Sequence, residues 1–165
     1  DYGHEKIAVV TGDMESASSR ARLDGFRAGM HDAGIEVNED WVIHGNYQPE
    51  DGERAARRLM ALRSRPTAVF CFSDEMAMGC MHALRELGFD VPHDVSVMGF
   101  DGVPLSRYTA PPLTTIAQPA EEIGAACARI LLGLIEGENP DCLETFLPHE
   151  LVVRGSTAPL KRDRV

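Results

Sequence analysis

The sequence predicts an α/β fold built on a mainly parallel sheet, and three observations carry that prediction. Short apolar runs rich in strand formers alternate with amphipathic helical stretches, in the order β-α-β-α-β-α-β followed by strand, helix and strand. One segment, residues 66–101, is a complete β-α-β unit, whose two strands should lie parallel with a right-handed crossover. The strands also end in polar residues, and ligands of open parallel sheets bind beyond the carboxyl ends of their strands.

The elements follow in order. Lys6–Thr11 reads as the first strand, turned by Gly12-Asp13. Ser16, Ser18 and Ser19 offer helix caps, and Leu23, Phe26, Met30 and Ala33 then recur on one helical face until Gly34 ends the helix. Trp41–Gly45 reads as a second strand with Asn46-Tyr47 at its end. Pro49–Leu62 is helical, with Ala55, Ala56, Leu59 and Leu62 inward. Thr67–Cys71 is a strand, Ser73-Asp74 supplies an N-cap, and Ala77, Cys80, Met81, Leu84 and Leu87 form the apolar stripe of a helix stopped by Gly88. Met76, Met78 and Met81 read as helix packing. Val95–Phe100 is the next strand.

The prolines of residues 102–112 exclude long regular structure, and Leu113–Ile116 is a short strand. Ala120–Gly137 places Ile123, Ala126, Cys127, Ile130, Leu131 and Leu134 on one face of a helix, broken by the Gly-Glu-Asn-Pro that begins at Gly137. Thr145–Arg154 reads as a last strand at an edge, and residues 160–165 as a frayed tail.

Composition narrows the function. The formal net charge is −10, with only two lysines, Lys6 and Lys161, which argues against this chain itself gripping a phosphate backbone. The densest arginines, Arg54, Arg57, Arg58, Arg63 and Arg65, read as a solvated helix face. Cys71, Cys80, Cys127 and Cys142 form no C-x-x-C pair and read as buried free thiols in a reducing compartment. The histidines lack metal-site spacing, so no metal site is expected. No apolar run is long enough for a membrane span. The first residues carry no signal-peptide pattern, and they enter a strand so soon that further sequence is expected upstream. Motifs for a nucleophile elbow, a phosphate loop or a dinucleotide fingerprint are missing, and a phospho-acceptor receiver domain would need paired acids where Asp13 stands alone. No catalysed reaction and no cofactor are expected.

The strand ends carry Thr11 and Asp13, Tyr47, Ser73 and Asp74, and Asp101, with Arg22 about one turn into the first helix. An arginine and an aspartate there make charge-assisted hydrogen bonds to hydroxyls or ring nitrogens, each worth roughly 1.5–3 kcal/mol. Tyr47 offers a flat face to a sugar or a base. Each residue has a second reading. Asp74 and Ser73 can be helix caps, Arg22 a surface partner of Asp24 or Glu15, Asp101 a turn cap with Gly102, and Tyr47 a loop anchor.

The blocks GHEKIAVVTG, RARLDGFRAGM, PTAVFCFSDEMAMGCMHAL, VPHDVSVMGFD, PPLTTIAQP with EEIGAACARILL, and LVVRGST stand in an order that resembles the effector-binding core of the lactose/galactose repressor (LacI/GalR) family of bacterial transcription regulators. The wording PPLTTIAQP and GNYQPEDG is most similar to its purine and cytidine repressor branch.

The resemblance implies a type I periplasmic-binding-protein-like core of two lobes closing on an effector. Here residues 6–113 and 144–159 would form the C-terminal lobe, and the 118–137 helix would cross to a largely absent N-terminal lobe. By the same resemblance Arg22, Tyr47, Ser73, Asp101 and Gln118 are effector contacts; Gln118 rests on the resemblance alone. Ser73 stands where some members carry asparagine. The implied effector is a sugar, nucleoside or purine, the implied state a cytoplasmic homodimer, and operator DNA would be met by a helix-turn-helix absent from this chain. A periplasmic-type solute-binding protein for a sugar shares the fold and is the alternative.

Overall fold

A computed structural model describes residues 2–137 and 145–160. Its order is β1 (Ile7–Thr11), α1 (Ala17–Asp32), a 3-10 turn (Glu39–Trp41), β2 (Val42–His44), α2 (Pro49–Ala61), β3 (Ala68–Cys71), α3 (Asp74–Glu86), β4 (Ser96–Asp101), a second 3-10 turn (Pro104–Tyr108), β5 (Thr114–Ala117), α4 (Ala120–Ile135) and β6 (Glu150–Val152). One six-stranded sheet runs β2-β1-β3-β4-β5-β6. The first five strands pair in parallel and β6 joins the β5 edge antiparallel.

Register assigns side chains to two faces, because alternate residues of a strand point oppositely. Val10 pairs with Cys71 and Val69 with Val97, so these share one face, and all four are buried. That face meets α3, as shown by the Cβ that an alanine at Gly99 would carry, which would lie 2.3 Å from Asp74 Oδ1. Phe70 pairs with Met98, and Phe100 with Ile116, on the opposite face, where all four are only half-buried.

Helices α2 and α3 interlock through glycine. A Cβ at Gly52 would stand 1.8 Å from the Met76 carbonyl oxygen, and one at Gly79 would stand 2.0 Å from that of Pro49. Only a residue without a side chain permits backbones this close. Ala55, Ala56, Leu59, Met76, Ala77, Cys80 and Leu84 fill the seam as part of the core.

The termini are stitched across the start of the sheet. His4 Nδ1 meets the Thr67 hydroxyl at 2.9 Å and its Nε2 meets the Ala158 carbonyl at 2.9 Å, while Ser156 Oγ donates to the Val97 carbonyl at 2.6 Å.

Some expectations need correction. The last strand is three residues rather than ten. Pro148 has no N–H to give a ladder, and at the other end the Arg154 N–H leaves the ladder for the Thr114 hydroxyl. Cys127, expected buried, is exposed, because the groove it shares with Phe100, Phe146 and Leu147 leaves it open to solvent; Cys71 and Cys80 are buried free thiols as expected, and Cys142 lies outside the described residues. Leu87 is also largely exposed, since α3 ends before it. Met76 and Met81 are buried and Met78 packs beside them. All five arginines from Arg54 to Arg65 are exposed. Residues 161–165 of the expected frayed tail, and 138–140 of the break after α4, lie outside the described residues.

Candidate functional site

The carboxyl ends of β1, β3 and β4 open onto a cleft of about 390 Å³ lined by Ser16, Ser18, Arg22, Tyr47, Ser73, Glu75, Asp101 and Val103. A larger hollow of about 650 Å³ lies near the start of β1, lined by Tyr2, Phe26, Met30, Ile35 and Phe70 among others. Glu5 is its one charged lining residue and the His4 ring nitrogens are taken by Thr67 and Ala158, so the smaller cleft is the candidate.

Arg22 is held rigid before any ligand arrives. Its Nη1 donates to the Phe72 carbonyl oxygen at 2.8 Å, and its guanidinium carbon lies 3.7 Å from the centre of the Phe100 ring. This is a cation–π contact, and it fixes the plane of the fork. Neither Asp24 nor Glu15 pairs with it among the described residues.

Tyr47 has φ +63°, and its ring lies over the β1–α1 turn. A Cβ at Gly12 would fall 2.0 Å from its Cζ, so glycine there leaves the room that the ring occupies. Its hydroxyl meets Ser19 Oγ at 2.5 Å. Tyr47 is thus both a loop anchor and a wall of the cleft.

Asp101 ends β4 with φ +115°, and Gly102 continues at φ +75°. Among the described residues, Tyr47 and Asp101 are the two non-glycine positions with positive φ, and both line the cleft. Left-handed backbone at such residues persists where surrounding structure enforces it, and it collects at functional sites. Gln118 does the enforcing at Asp101: its Nε2 donates to Oδ1 at 2.6 Å and its backbone N–H donates to the Asp101 carbonyl at 3.1 Å. Burial pushes the Asp101 carboxyl above the ordinary aspartate value, against the opposing pull of the Gln118 hydrogen bond and the Arg22 charge.

Ser73 is the N-cap of α3, with Oγ accepting the Met76 N–H at 3.2 Å, and it is buried at the cleft floor. Asp74 neither caps nor lines the cleft. Its Oδ1 accepts from Thr115 Oγ1 at 2.6 Å and its Oδ2 from the Val103 N–H at 2.8 Å. It thereby ties α3 to β5 and to the turn that follows Asp101. Burial raises its carboxyl above the usual value, offset in part by those hydrogen bonds.

Four of the five residues singled out from the sequence, Arg22, Tyr47, Ser73 and Asp101, therefore line one cleft. Gln118 reaches it through Asp101, while its side chain also lines an adjoining groove with Phe100, Pro119 and Ile123. Sequence reasoning treated Ser16 and Ser18 only as caps and passed over Glu75 and Val103. Their signal was position, since Glu75 and Val103 closely follow the ends of β3 and β4, and Ser16 and Ser18 stand at the start of the helix that follows β1. No cluster of histidine, cysteine or acidic residues among the described residues can hold a metal ion.

Residues 1–157 match the family described as "Periplasmic binding protein-like domain". The chain belongs to that family. Its curated relatives include the HTH-type transcriptional repressor PurR of Vibrio vulnificus, 42% identical over 93% of this chain and 46% of the relative, and that of Photobacterium profundum, 41% identical over 97% and 48%. Similar solved structures include a transcriptional regulator CelR–cellobiose complex, with TM-score 0.89, 34% identity and coverage of 93% of this chain and 47% of that one. A LacI-type transcriptional regulator from Bacillus cereus subsp. cytotoxis superposes with TM-score 0.93 at 29% identity, covering 97% and 57%. The chain spans about half the length of the curated relatives it matches.

Proposed function

We propose that this chain is the C-terminal lobe of the effector-binding domain of a LacI-family transcriptional repressor, and that it senses a sugar, nucleoside or purine. The observation that carries this reading is the clamp of Arg22 and Asp101, each fixed by the protein's own groups at the carboxyl edge of a parallel sheet. Arg22 is oriented by Phe72 and Phe100, and Asp101 presents its second carboxylate oxygen, which accepts no hydrogen bond from the described residues. Preorganised donors and acceptors of this kind bind hydroxyls and ring nitrogens with little ordering cost.

In this reading residues 6–113 and 144–159 are one lobe, and α4 crosses to another. The apolar stripe of α4 supports that division, because Leu131, Leu134 and Ile135 are exposed here. The protein would act without catalysis. Effector binding would favour one arrangement of the lobes, and that arrangement would alter how a cytoplasmic homodimer presents its helix-turn-helix heads to operator DNA. No helix among the described residues is long and apolar enough to cross a membrane.

The test is a thermal-shift screen of the full-length protein against monosaccharides, nucleosides and purines, repeated with Arg22→Ala and Asp101→Ala. A ligand at about one hundred times its Kd should add about 2.7 kcal/mol of stability. The expected result is a hit from one class that both variants lose while remaining folded. Hits that survive both substitutions would move the site elsewhere. A secretion signal in place of the DNA-binding head would favour the solute-binding alternative.

A further inference from the structure

The charges of the cleft are poised close to balance, and one residue decides the sign. Arg22 contributes a positive charge and Asp101 and Glu75 a negative charge each. The start of α1 adds a partial positive charge of roughly half a unit, since no acidic residue occupies its first turn and no side chain caps it. The start of α3 offers no comparable attraction even before Glu75 is counted, because Ser73 Oγ takes the Met76 N–H and Asp74 sets its own negative charge in the first turn. With Glu75 the lining is negative by about half a charge, and without it positive by about as much.

Glu75 is exposed, among the described residues it joins no ion pair, and it opposes the ionisation of Asp101. Glu75 lines the cleft, so a charge held beside it lies within the Debye length of about 8 Å at physiological salt and is little screened by salt.

Resting on the effector reading above, we propose that Glu75 sets the charge class of the ligand, so that the cleft admits uncharged, hydroxyl-bearing molecules and rejects their phosphate esters. Arg22 is held in place by Phe72 and Phe100, and its single positive charge is already counted in this balance.

Matched pairs test the proposal: glucose against glucose phosphate, ribose against ribose phosphate, and adenosine against adenosine monophosphate. Each pair is titrated calorimetrically into the full-length protein and into Glu75→Gln. For the pair that contains a binder, the native protein should prefer the uncharged member by about tenfold or more, and the variant should narrow that ratio at least about threefold. Raising the ionic strength from about 0.01 M to about 1 M should narrow the native ratio too, which tests the charge without a substitution. An unchanged ratio in Glu75→Gln, or phosphate esters bound by the native protein as tightly as their parents, would overturn the assignment and leave the effector reading standing. If nothing binds here and no monosaccharide, nucleoside or purine binds in the thermal-shift screen, the effector reading falls and this inference falls with it.

Discussion

Helices α3 and α4 are written in the same way and end up in opposite surroundings. Each opens with two acidic residues in its first turn, carries apolar residues at helical spacing, and is followed by a glycine with positive φ, Gly88 or Gly137. Eight of the 13 residues of α3 are buried, against Ala126 alone of the 16 in α4. On α4, Leu131 is 59% exposed and Ile135 is 71% exposed. The difference lies in what each helix meets. The stripe of α3 faces α2 and the strands β3 and β4. Among the described residues, the stripe of α4 meets only a groove that includes Phe100, Phe146 and Leu147. Periodicity states which residues require burial, and only the partner decides whether they obtain it.

The sharpest way to break this comparison is through its glycines. Gly79→Val should cost about 3 kcal/mol or more, because the new side chain meets the Pro49 backbone. Gly124→Ala, at a position in α4 with nothing within 4 Å, should stabilise by up to about 1 kcal/mol. Denaturant midpoints of the two variants measure both. Equal midpoints would mean that the α2–α3 seam is not the tight contact described.

Asp74 is the polar counterpart of that seam. Asp74→Ala should cost about 3 kcal/mol, since it strands the Thr115 hydroxyl and the Val103 N–H. It should also loosen the turn after Asp101 and so weaken ligand binding. Asp74→Asn isolates the charge. Because burial raises the folded pKa of Asp74, its carboxyl contributes most below the unfolded value of 3.8, and that contribution is lost as pH rises through the folded value.

Asp51 has the opposite sign. Burial opposes its ionisation, but the Asn46 N–H, Arg54 and the Gln48 N–H together hold it below 3.8, so its contribution is present above that value and lost as pH falls through the folded one. Unfolding free energies across the acid range, compared for Asp74→Asn and Asp51→Asn, should therefore diverge from the parent in opposite directions.

The smallest effect is expected on α4. Leu131→Lys and Ile135→Lys should each change stability by less than about 0.5 kcal/mol, while lowering binding of an apolar dye and self-association of the chain. A loss of 2 kcal/mol or more would show that this face is covered within the chain itself.

Much of the site was legible in the sequence, for a reason particular to parallel sheets. Strand ends converge on one edge, so a polar residue that closes a strand is placed by topology before any side chain is considered. Tyr47, Ser73 and Asp101 were placed at the cleft in this way, and Arg22 by its position about one turn into the helix that follows β1. Asp74 was misjudged because a carboxylate at a helix start looks the same whether it turns outward as a cap or inward to Thr115. Glu75 was passed over because nothing in its local spacing distinguishes it from a solvated first-turn acid.

The sequence by itself determined the order of the elements, the parallel sheet, the helix boundaries to within a residue or two, and the edge that carries the cleft. Those features follow from period, caps and glycines, which act over a few residues. Only the tertiary structure decided that Arg22 stacks on Phe100, that Gln118 holds Asp101 in a left-handed turn, that Gly12 makes room for Tyr47, and that α4 lies largely bare. Each of these depends on groups brought together from distant parts of the chain, and local spacing carries no information about which distant groups will meet.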